Sequence, residues 1–458
     1  MNTVSLQSFG AAETVTGSKH LLKTPDFNIL FDCGLFQGRK SLREQNWLSL
    51  PVHVSNIHAL ILTHAHLDHC GYIPLFVKRG FRGKIYMSSA TAELTKLILL
   101  DSAKIQEEDA DRANRYHYSK HSPALALYTV KDAENSFDQF VTVEFDEIVS
   151  LSANLNFRFK QCGHILGACS VEVNCFNRKI IFSGDIGRVN SPILEAPDFF
   201  TSADYAVMES TYGDRVHASE DPSVELAKVI NETIKVGGNI LIPSFAVGRA
   251  QELMYLITKL KESHMIPEHI PVFLDSPMAA EATEITFRYP ELFKVTIDEW
   301  NRVKKGVTVN RDSRNTEDII NSKGSKIIIA ASGMLSGGRV LTYLKHYVGD
   351  TRNVIFIIGF QAEGTRGRAL LNQSYELKIH GEYHQVKARV KEITSLSAHA
   401  DQRELLNWVS KFKNKPVQVL LVHGEPSAQE ALRIKIRDTF NIQVHIMKQN
   451  QERVLFDI

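Results

Sequence analysis

The chain has 458 residues, of which 43% are hydrophobic and 23% are charged, and its formal net charge is +1. This length exceeds one ordinary core, so two or three domains are expected. The composition excludes a disordered or fibrous protein, and the near-neutral charge gives no overall basic field for a polyanion. Apolar runs such as 354–360 fall far short of the roughly 20 residues that cross a bilayer, so no membrane partner is expected.

The N-terminal stretch MNTVSLQSFGAAETV does not have the charged leader and apolar run of a signal peptide. The cysteines are odd in number and lack CxxC spacing, which indicates reduced thiols rather than a disulfide framework. Both features predict a cytoplasmic protein. The cysteines are Cys33, Cys70, Cys162, Cys169 and Cys175.

The first predicted site follows a short apolar strand at 59–62, in the stretch IHALILTHAHLDHCG. An exposed strand end explains one or two histidines, but not a dense group of imidazoles and a carboxylate. These are the ligand types that zinc favours in catalytic sites, so the pattern predicts a metal site. The candidate ligands are His64, His66, Asp68 and His69.

Three further candidate ligands stand in similar contexts. His164 lies among small residues in QCGHILGACS, Asp185 closely follows the apolar run 180–182, and His423 ends the run 417–422. Alone, each is more typical of a cap or a hydrogen-bonded loop residue. Together they repeat one arrangement, in which a buried strand ends at a potential ligand, and the repetition favours a shared metal centre.

HxHxDH, a distant histidine and an aspartate in SGDIG together resemble the metallo-β-lactamase superfamily. The resemblance implies an α/β fold, a four-layer αββα sandwich with two zinc ions at one edge; manganese is the alternative metal. Asp185 would bridge the two ions, and Asp32 in ILFDCG would orient a ligand. The implied ligand sets are His64, His66, His164 and Asp185 for one ion, and Asp68, His69, Asp185 and His423 for the other.

Residues 201–378 are organised differently and separate two blocks of the sandwich, 1–200 and 379–458. Each of four apolar runs in this segment leads into a loop of small residues and then a helical pattern. Such alternation predicts an inserted domain with a parallel α/β sheet. The runs are 239–243, 271–274, 326–330 and 353–358.

Three loops of the insertion end in Gly-Arg at a helix start, namely at 248–249, 338–339 and 367–368. A helix N-terminus offers free N–H groups, and arginine offers a fork suited to phosphate oxygens. Turn glycines with surface arginines are the alternative interpretation, but the repetition favours a cradle for a polyanion. The predicted phosphate-binding residues are Ser244, Arg249, Ser332, Gly333, Arg339, Arg366 and Arg368.

SFAVGRAQE, LDSPMA, ASGMLSGGR and GFQAEGTRGR resemble the signature stretches of the β-CASP insertion, which distinguishes nucleases from lactamase and glyoxalase relatives. With the metal block, the resemblance covers nearly the whole chain. It places the motif A acid on Glu209, the motif B histidine on His399 and the motif C histidine on His423. A histidine at motif C accompanies the RNA-cutting members, so the resemblance implies a zinc-dependent ribonuclease of RNA processing or decay.

The implied reaction is metal-assisted hydrolysis of RNA phosphodiester bonds, by internal cleavage, by 5′–3′ trimming or by both. Asp68 would bind metal and orient the attacking water. His399 would either protonate the leaving oxygen or hold the phosphate as a donor, and Glu209 would hold the histidine's tautomer. Without the resemblance, His399 would be an ordinary loop histidine before a helix capped by Asp401. Single-stranded RNA is the expected substrate, and a homodimer is one expected assembly.

Three other classes remain as alternatives. A DNA nuclease of the same family is the nearest one. A small-molecule metallohydrolase explains the HxHxDH cluster but leaves the insertion at 201–378 unexplained. A non-catalytic scaffold predicts missing ligands, whereas all the expected ones are present: Asp68, His69, His164, Asp185 and His423.

Overall fold

The computed structural model describes residues 2–117, 119–218 and 221–458. The chain divides into two compact units, each assembled from discontinuous segments. The domain limits expected from the sequence, 200/201 and 378/379, stay a prediction. Unit 1 comprises Met1–Val189, Ala196–Val216 and His399–Ile458, and unit 2 comprises Asn190–Glu195 and His217–Ala398.

The described residues form strands, helices and short 3-10 turns, the turns lying at Gln45–Trp47, Val54–Asn56, Phe137–Gln139, Pro290–Leu292 and Thr394–Leu396. The strands are β1 Thr3–Gly10, β2 Lys19–Lys23, β3 Ile29–Phe31, β4 Ala59–Ile61, β5 Lys84–Met87, β6 Phe140–Thr142, β7 Val149–Ser152, β8 Leu155–Gln161, β9 Cys169–Cys175, β10 Arg178–Phe182, β11 Tyr205–Met208, β12 Ile240–Pro243, β13 Val272–Asp275, β14 Thr308–Asn310, β15 Ile327–Ala330, β16 Val354–Ile358, β17 Glu376–Ile379, β18 Glu382–Gln385, β19 Arg389–Ile393, β20 Gln418–Leu421, β21 Gln443–Ile446 and β22 Glu452–Asp457. The helices are α1 Lys40–Glu44, α2 Leu67–Cys70, α3 Ile73–Lys78, α4 Ser89–Tyr116, α5 Val130–Ser136, α6 Pro222–Lys235, α7 Arg249–Glu262, α8 Pro277–Thr286, α9 Ile297–Gly306, α10 Asn315–Asn321, α11 Val340–Tyr347, α12 Arg366–Leu371, α13 Gln402–Ser410 and α14 Pro426–Phe440.

Unit 1 is built on two sheets, ordered β22-β1-β2-β3-β4-β5-β6 and β21-β20-β11-β10-β9-β8-β7. Their inner faces share one apolar core, in which the Phe31 and Phe182 rings stack with centroids 3.6 Å apart. On the outer face of the second sheet, α13 and α14 bury residues such as Trp408 and Leu432. Helix α4 contacts β6 of the first sheet. The predicted αββα sandwich is confirmed.

Unit 2 contains the predicted parallel sheet, ordered β14-β13-β15-β12-β16-β19. The four apolar runs of the sequence form β12, β13, β15 and β16. One face of this sheet packs on α11, where Val340 and Leu344 join Ile328 and Ile355 in a single buried cluster. An inserted α/β domain with a parallel sheet is therefore confirmed.

Among the described residues, no helix is both long enough and apolar enough to span a membrane. Each cysteine is a buried free thiol. Burial raises the pKa of Cys33 and of Cys175 to about 12. Because the thiolate is the reactive form, these side chains are inert at neutral pH.

Candidate metal centre

The ends of β4, β8, β10 and β20 bring every predicted metal ligand to one edge of unit 1. Both sheets contribute, since β4 belongs to the first and the other three strands belong to the second. Residues far apart in sequence therefore meet in one cluster. The predicted ligands are His64, His66, Asp68 and His69 after β4, His164 between β8 and β9, Asp185 after β10 and His423 after β20.

Three histidines and one aspartate form the first group of donor atoms, all within 4.8 Å of one another. The Nε2 atoms of His64 and His164 lie 3.1 and 3.2 Å from His66 Nδ1. The same Nε2 atoms lie 3.5 and 3.6 Å from Asp185 Oδ2. Two nitrogens bound to one tetrahedral zinc at about 2.0–2.1 Å would be roughly 3.3 Å apart. This spacing fits a metal ion held among the four side chains.

Asp68, His69 and His423 form a second group. His423 Nε2 lies 3.2 Å from His69 Nε2 and 3.5 Å from Asp68 Oδ2. Asp185 reaches both groups, since its Oδ2 is also 3.4 Å from His69 Nε2. Its other oxygen is buried without a hydrogen-bond partner among the described residues, although unpartnered buried oxygens are costly. A cation beside Asp185 would satisfy that oxygen, so the donor set fits bound metal.

The protonation states of the first group suit metal binding. Burial lowers the pKa of His66 to about 4 and holds the pKa values of His64 and His164 well below the usual value. Burial would raise the pKa of Asp185, but the neighbouring His423 and His69 lower it well below its ordinary value. Neutral imidazole and ionised carboxylate are the forms that coordinate metal.

Asp32 stands behind His69, where the resemblance placed an orienting residue. Its Oδ2 lies 2.7 Å from His69 Nδ1. Its Oδ1 accepts the backbone N–H and the hydroxyl of Thr63, at 2.8 and 3.0 Å. Burial would lower the pKa of His69, but Asp185 and Asp32 raise it. A carboxylate in this position fixes the tautomer and the orientation of the imidazole.

Two threonines perform a similar task and were not predicted from the sequence. Thr63 Oγ1 lies 3.1 Å from His64 Nδ1, and Thr211 Oγ1 lies 3.0 Å from His423 Nδ1. Thr63 directly precedes the histidine that it contacts, so the motif contained a local signal. Thr211 is 212 residues from its partner, and no pattern along the chain connects the two.

His399 and Glu209 form a pair beside the first donor group. His399 Nδ1 is 3.2 Å from both carboxylate oxygens of Glu209 and 4.0 Å from Asp185 Oδ2. Glu209 is fixed by the backbone N–H groups of Ile186 and Thr211, at 2.6 and 3.3 Å. Burial alone would lower the pKa of His399, but Glu209 and Asp185 raise it to about 9. A protonated, partly exposed imidazole can donate to a substrate oxygen.

In unit 2, each predicted phosphate-binding arginine already has a partner among the described residues. Arginine carries five N–H donors, so one such contact does not exhaust the group, and phosphate binding stays a prediction. The pairs are Arg249 with Glu252, Arg339 with Asp275 (2.6 Å), Arg366 with the Lys378 carbonyl (2.7 Å) and Arg368 with the Gln361 carbonyl (2.8 Å).

The small residues predicted to bind phosphate also shape their own loops. Ser244 Oγ donates to the Phe245 carbonyl at 3.0 Å, and Ser332 Oγ accepts the Ser336 N–H at 3.0 Å. A Cβ at Gly333 would lie 2.8 Å from the Phe245 ring, so this position requires glycine. These contacts explain the residue types locally, and the role in phosphate binding stays a prediction.

Three family descriptions match consecutive parts of the chain. Residues 17–216 match the Metallo-beta-lactamase superfamily, and residues 250–370 match the Beta-Casp domain. Residues 383–447 match the Zn-dependent metallo-hydrolase RNA specificity domain.

Ribonuclease TTHA0252 of Thermus thermophilus is 33% identical over 93% of this chain and 94% of its own length. Transcription termination factor FttA of Pyrococcus horikoshii is 35% identical over 84% of this chain and 59% of its own length. FttA of Methanocaldococcus jannaschii is 30% identical over 97% of this chain and 70% of its own length. A crystal structure of a protein of unknown function from Enterococcus faecalis superposes with a TM-score of 0.53 over 99% of this chain and 100% of that one; at 13% identity it shows the fold alone.

Sandwich, insertion and clustered metal donors define a metal-dependent hydrolase of the metallo-β-lactamase fold. The relatives narrow this class of hydrolase to one family, because ribonuclease TTHA0252 is 33% identical to this chain over 94% of its own length. The chain belongs to the β-CASP ribonuclease family, which confirms the resemblance seen in its motifs.

Proposed function

We propose that this protein is a zinc-dependent ribonuclease that hydrolyses phosphodiester bonds of single-stranded RNA. The observation that carries the proposal is the His399–Glu209 pair beside two groups of metal donors that share Asp185. In this proposal two zinc ions are bound, with manganese as the alternative. The ligands are His64, His66, His164 and Asp185 for one ion, and Asp68, His69, Asp185 and His423 for the other.

When bound, the metal supplies Lewis acidity to the phosphate and lowers the pKa of water. The remaining steps belong to side chains. Asp68, whose side chain is 19% exposed, orients the attacking water. The water gives one proton to the Asp68 carboxylate, and its oxygen bonds to phosphorus as the bond to the 3′ oxygen breaks. His399 gives its proton to that 3′ oxygen, and Glu209 fixes the tautomer and stabilises the charged imidazole. The products carry a 5′ phosphate and a 3′ hydroxyl.

RNA rather than DNA is supported by the match to an RNA specificity domain and by the relative named a ribonuclease. His423, the motif C position, supports the same choice. Internal cutting and 5′–3′ trimming both use this one centre. A cytoplasmic location and a homodimer complete the proposal.

The deciding experiment compares matched 5′-labelled RNA and DNA single strands with metal-loaded protein. Replacing His399 by Ala should lower RNA turnover about 10²–10⁴-fold, the usual contribution of general acid–base catalysis, while the zinc content stays at the wild-type level. Asp68→Ala should lower both turnover and zinc content. His269→Ala, which removes an exposed histidine of unit 2, should change neither.

Normal turnover in His399→Ala would exclude the role given to this histidine. Preferential cleavage of DNA would show that motif C does not select RNA. If neither strand were cut by zinc-loaded wild-type protein, a small-molecule metallohydrolase would be the better description. Product ladders from the same gels distinguish internal cuts from trimming.

A further inference from the structure

Trp47 is exposed, although its two counterparts in the chain are buried. Its exposed fraction is 52%, whereas Trp300 and Trp408 are each 2% exposed. Tryptophan side chains are highly buried on average, so a half-exposed indole in an ordered segment is a candidate binding surface. Leu48, the next residue, is 63% exposed.

The backbone beneath Trp47 is firmly held. Arg79 Nη2 donates to the Trp47 carbonyl at 2.9 Å, and Arg79 Nη1 donates to the Leu48 carbonyl. The Tyr72 hydroxyl donates to the same Leu48 carbonyl at 3.2 Å. On the other side, the Asn46 side chain pairs with the backbone N–H of Phe36 and with its carbonyl, both at 2.9 Å. The indole is therefore presented from a fixed support rather than from a loose loop.

That support is connected directly to the metal centre. The Cys33 N–H donates to the carbonyl of the ligand His69 at 2.7 Å, and the Leu35 N–H donates to the Leu67 carbonyl at 3.0 Å. Tyr72, which holds Leu48, is three residues after His69 and donates its own N–H to the Cys33 carbonyl. The segment 33–47 thus starts on the backbone of the HxHxDH motif and ends at Trp47.

The surroundings of Trp47 are basic. The exposed segment 39–48 contains three basic residues against one acidic residue, Glu44, which pairs with Lys40 at 3.6 Å. Helix α1 runs straight into the 3-10 turn Gln45–Trp47, because Glu44 and Gln45 are both helical. Arg43 is exposed and lies four residues before Trp47 in this run of helical turns, where residues three and four apart share a face.

We propose that Trp47 is a stacking platform for an unpaired base of the RNA strand, with Arg43 beside it for the phosphate backbone. The inference rests on the proposed ribonuclease function and adds a substrate-binding residue to it. An exposed aromatic face next to cations is the usual combination in single-strand binding, because every base has a π-face and the backbone is anionic. Tryptophan and arginine are also enriched at protein interfaces, so a protein contact is the outcome that the oligomeric mass tests below.

The test measures KM and kcat of the zinc-loaded full chain on a single-stranded RNA. Trp47→Ala should raise KM about 5- to 100-fold, the range expected for one stacked base, without changing kcat. Trp47→Phe should recover part of the effect, since a phenyl ring still stacks. Leu48→Ala is the matched control: it removes the neighbouring apolar side chain, which is at least as exposed as Trp47, and KM should stay at the wild-type value.

Fluorescence gives a second readout that does not depend on turnover. In a His399→Ala background, which leaves the RNA intact, titration with the same strand should quench the exposed indole. The quenching should disappear in the His399→Ala/Trp47→Phe double variant, because the two remaining tryptophans are buried.

An unchanged KM in Trp47→Ala, or an equal rise in Leu48→Ala, would overturn the proposal. A change in oligomeric mass in Trp47→Ala, with KM unchanged, would also overturn it and make this surface a protein contact. Failure of wild-type protein to cleave RNA would instead contradict the ribonuclease function itself, so the two failures are distinguishable.

Discussion

Asp275 is a fully buried carboxylate that four side chains of unit 2 hold by hydrogen bonds. Its Oδ1 accepts from Asn310 Nδ2 at 3.0 Å and from Arg339 Nη1 at 2.6 Å. Its Oδ2 accepts from the hydroxyls of Thr316 at 2.8 Å and Tyr343 at 2.5 Å. The group connects the loops after β13, β14 and β15 at the carboxyl edge of the parallel sheet.

Replacing Asp275 by Ala should lower the free energy of unfolding by about 3–5 kcal/mol, because it leaves a charged guanidinium and buried hydroxyls unpaired. Asp350→Ala is the control, since Asp350 pairs with Arg352 at the surface of the same unit and its loss should cost less than about 1 kcal/mol. Urea unfolding at neutral pH measures both. Equal losses of unfolding free energy in the two variants would show that the buried Asp275 contributes no more to stability than a surface ion pair.

The sequence predicted the positions of the candidate metal ligands better than it predicted the contacts of the arginines. Most of the candidate ligands could be predicted because they follow apolar strands and have a residue type that metal requires. His164 instead lies among small residues between β8 and β9. Arg339 was interpreted from its Gly-Arg context alone. Its carboxylate partner is 64 residues away, and only the folded sheet brings the two together.

Helix α13 begins three residues after His399, at Gln402, and is capped by Asp401. Asp401 Oδ1 accepts the Glu404 N–H at 2.9 Å, and the Glu404 carboxylate accepts the Asp401 N–H at 3.0 Å. Glu404 also accepts the Val189 N–H at 3.1 Å. This capping box therefore fixes the backbone that presents His399. The ordinary explanation for Asp401, as a cap, and the proposed role of His399 are compatible.

Asp401→Ala should cost about 1 kcal/mol of stability and also lower RNA turnover, because the helix start that carries His399 loosens. Asp401→Asn, which retains a capping oxygen, should restore most of both. Thr296→Ala removes an equivalent capping box from α9 in unit 2. It should cost a similar amount of stability without any change in turnover. If Asp401→Ala left turnover unchanged, the cap would stabilise the helix without positioning His399 for catalysis.

The four apolar runs of the insertion became strands as predicted, since continuous Ile, Leu and Val segments suit a sheet buried on both faces. β19 was not predicted. Its sequence RVKEI has three charged residues out of five, and within the described residues it pairs only with β16. Edge strands of this kind carry a weak apolar signal, because part of each side remains exposed to water.

The candidate metal centre of unit 1 is formed by residues that are far apart along the chain. His69 and His423 are 354 positions apart, yet their Nε2 atoms are 3.2 Å from each other. Such a contact requires both sheets to be formed and packed. The fold class could be predicted because its motifs are local, whereas the contact of the Thr211 hydroxyl with His423 depends on this long-range closure.

Metal removal should therefore weaken unit 1 selectively. A ligand that binds only the folded state stabilises it by about 2.7 kcal/mol at a hundred times its Kd, and the donors meet only when both sheets are assembled. Stripping the metal with a chelator should lower hydrogen-exchange protection in β4, β10 and β20 but leave β12 and β15 unchanged. Zinc should restore the protection in wild-type protein and in His269→Ala, but not in His64→Ala. An equal loss of hydrogen-exchange protection in both units would contradict this prediction. It would mean that metal binding stabilises the whole chain cooperatively and not unit 1 alone.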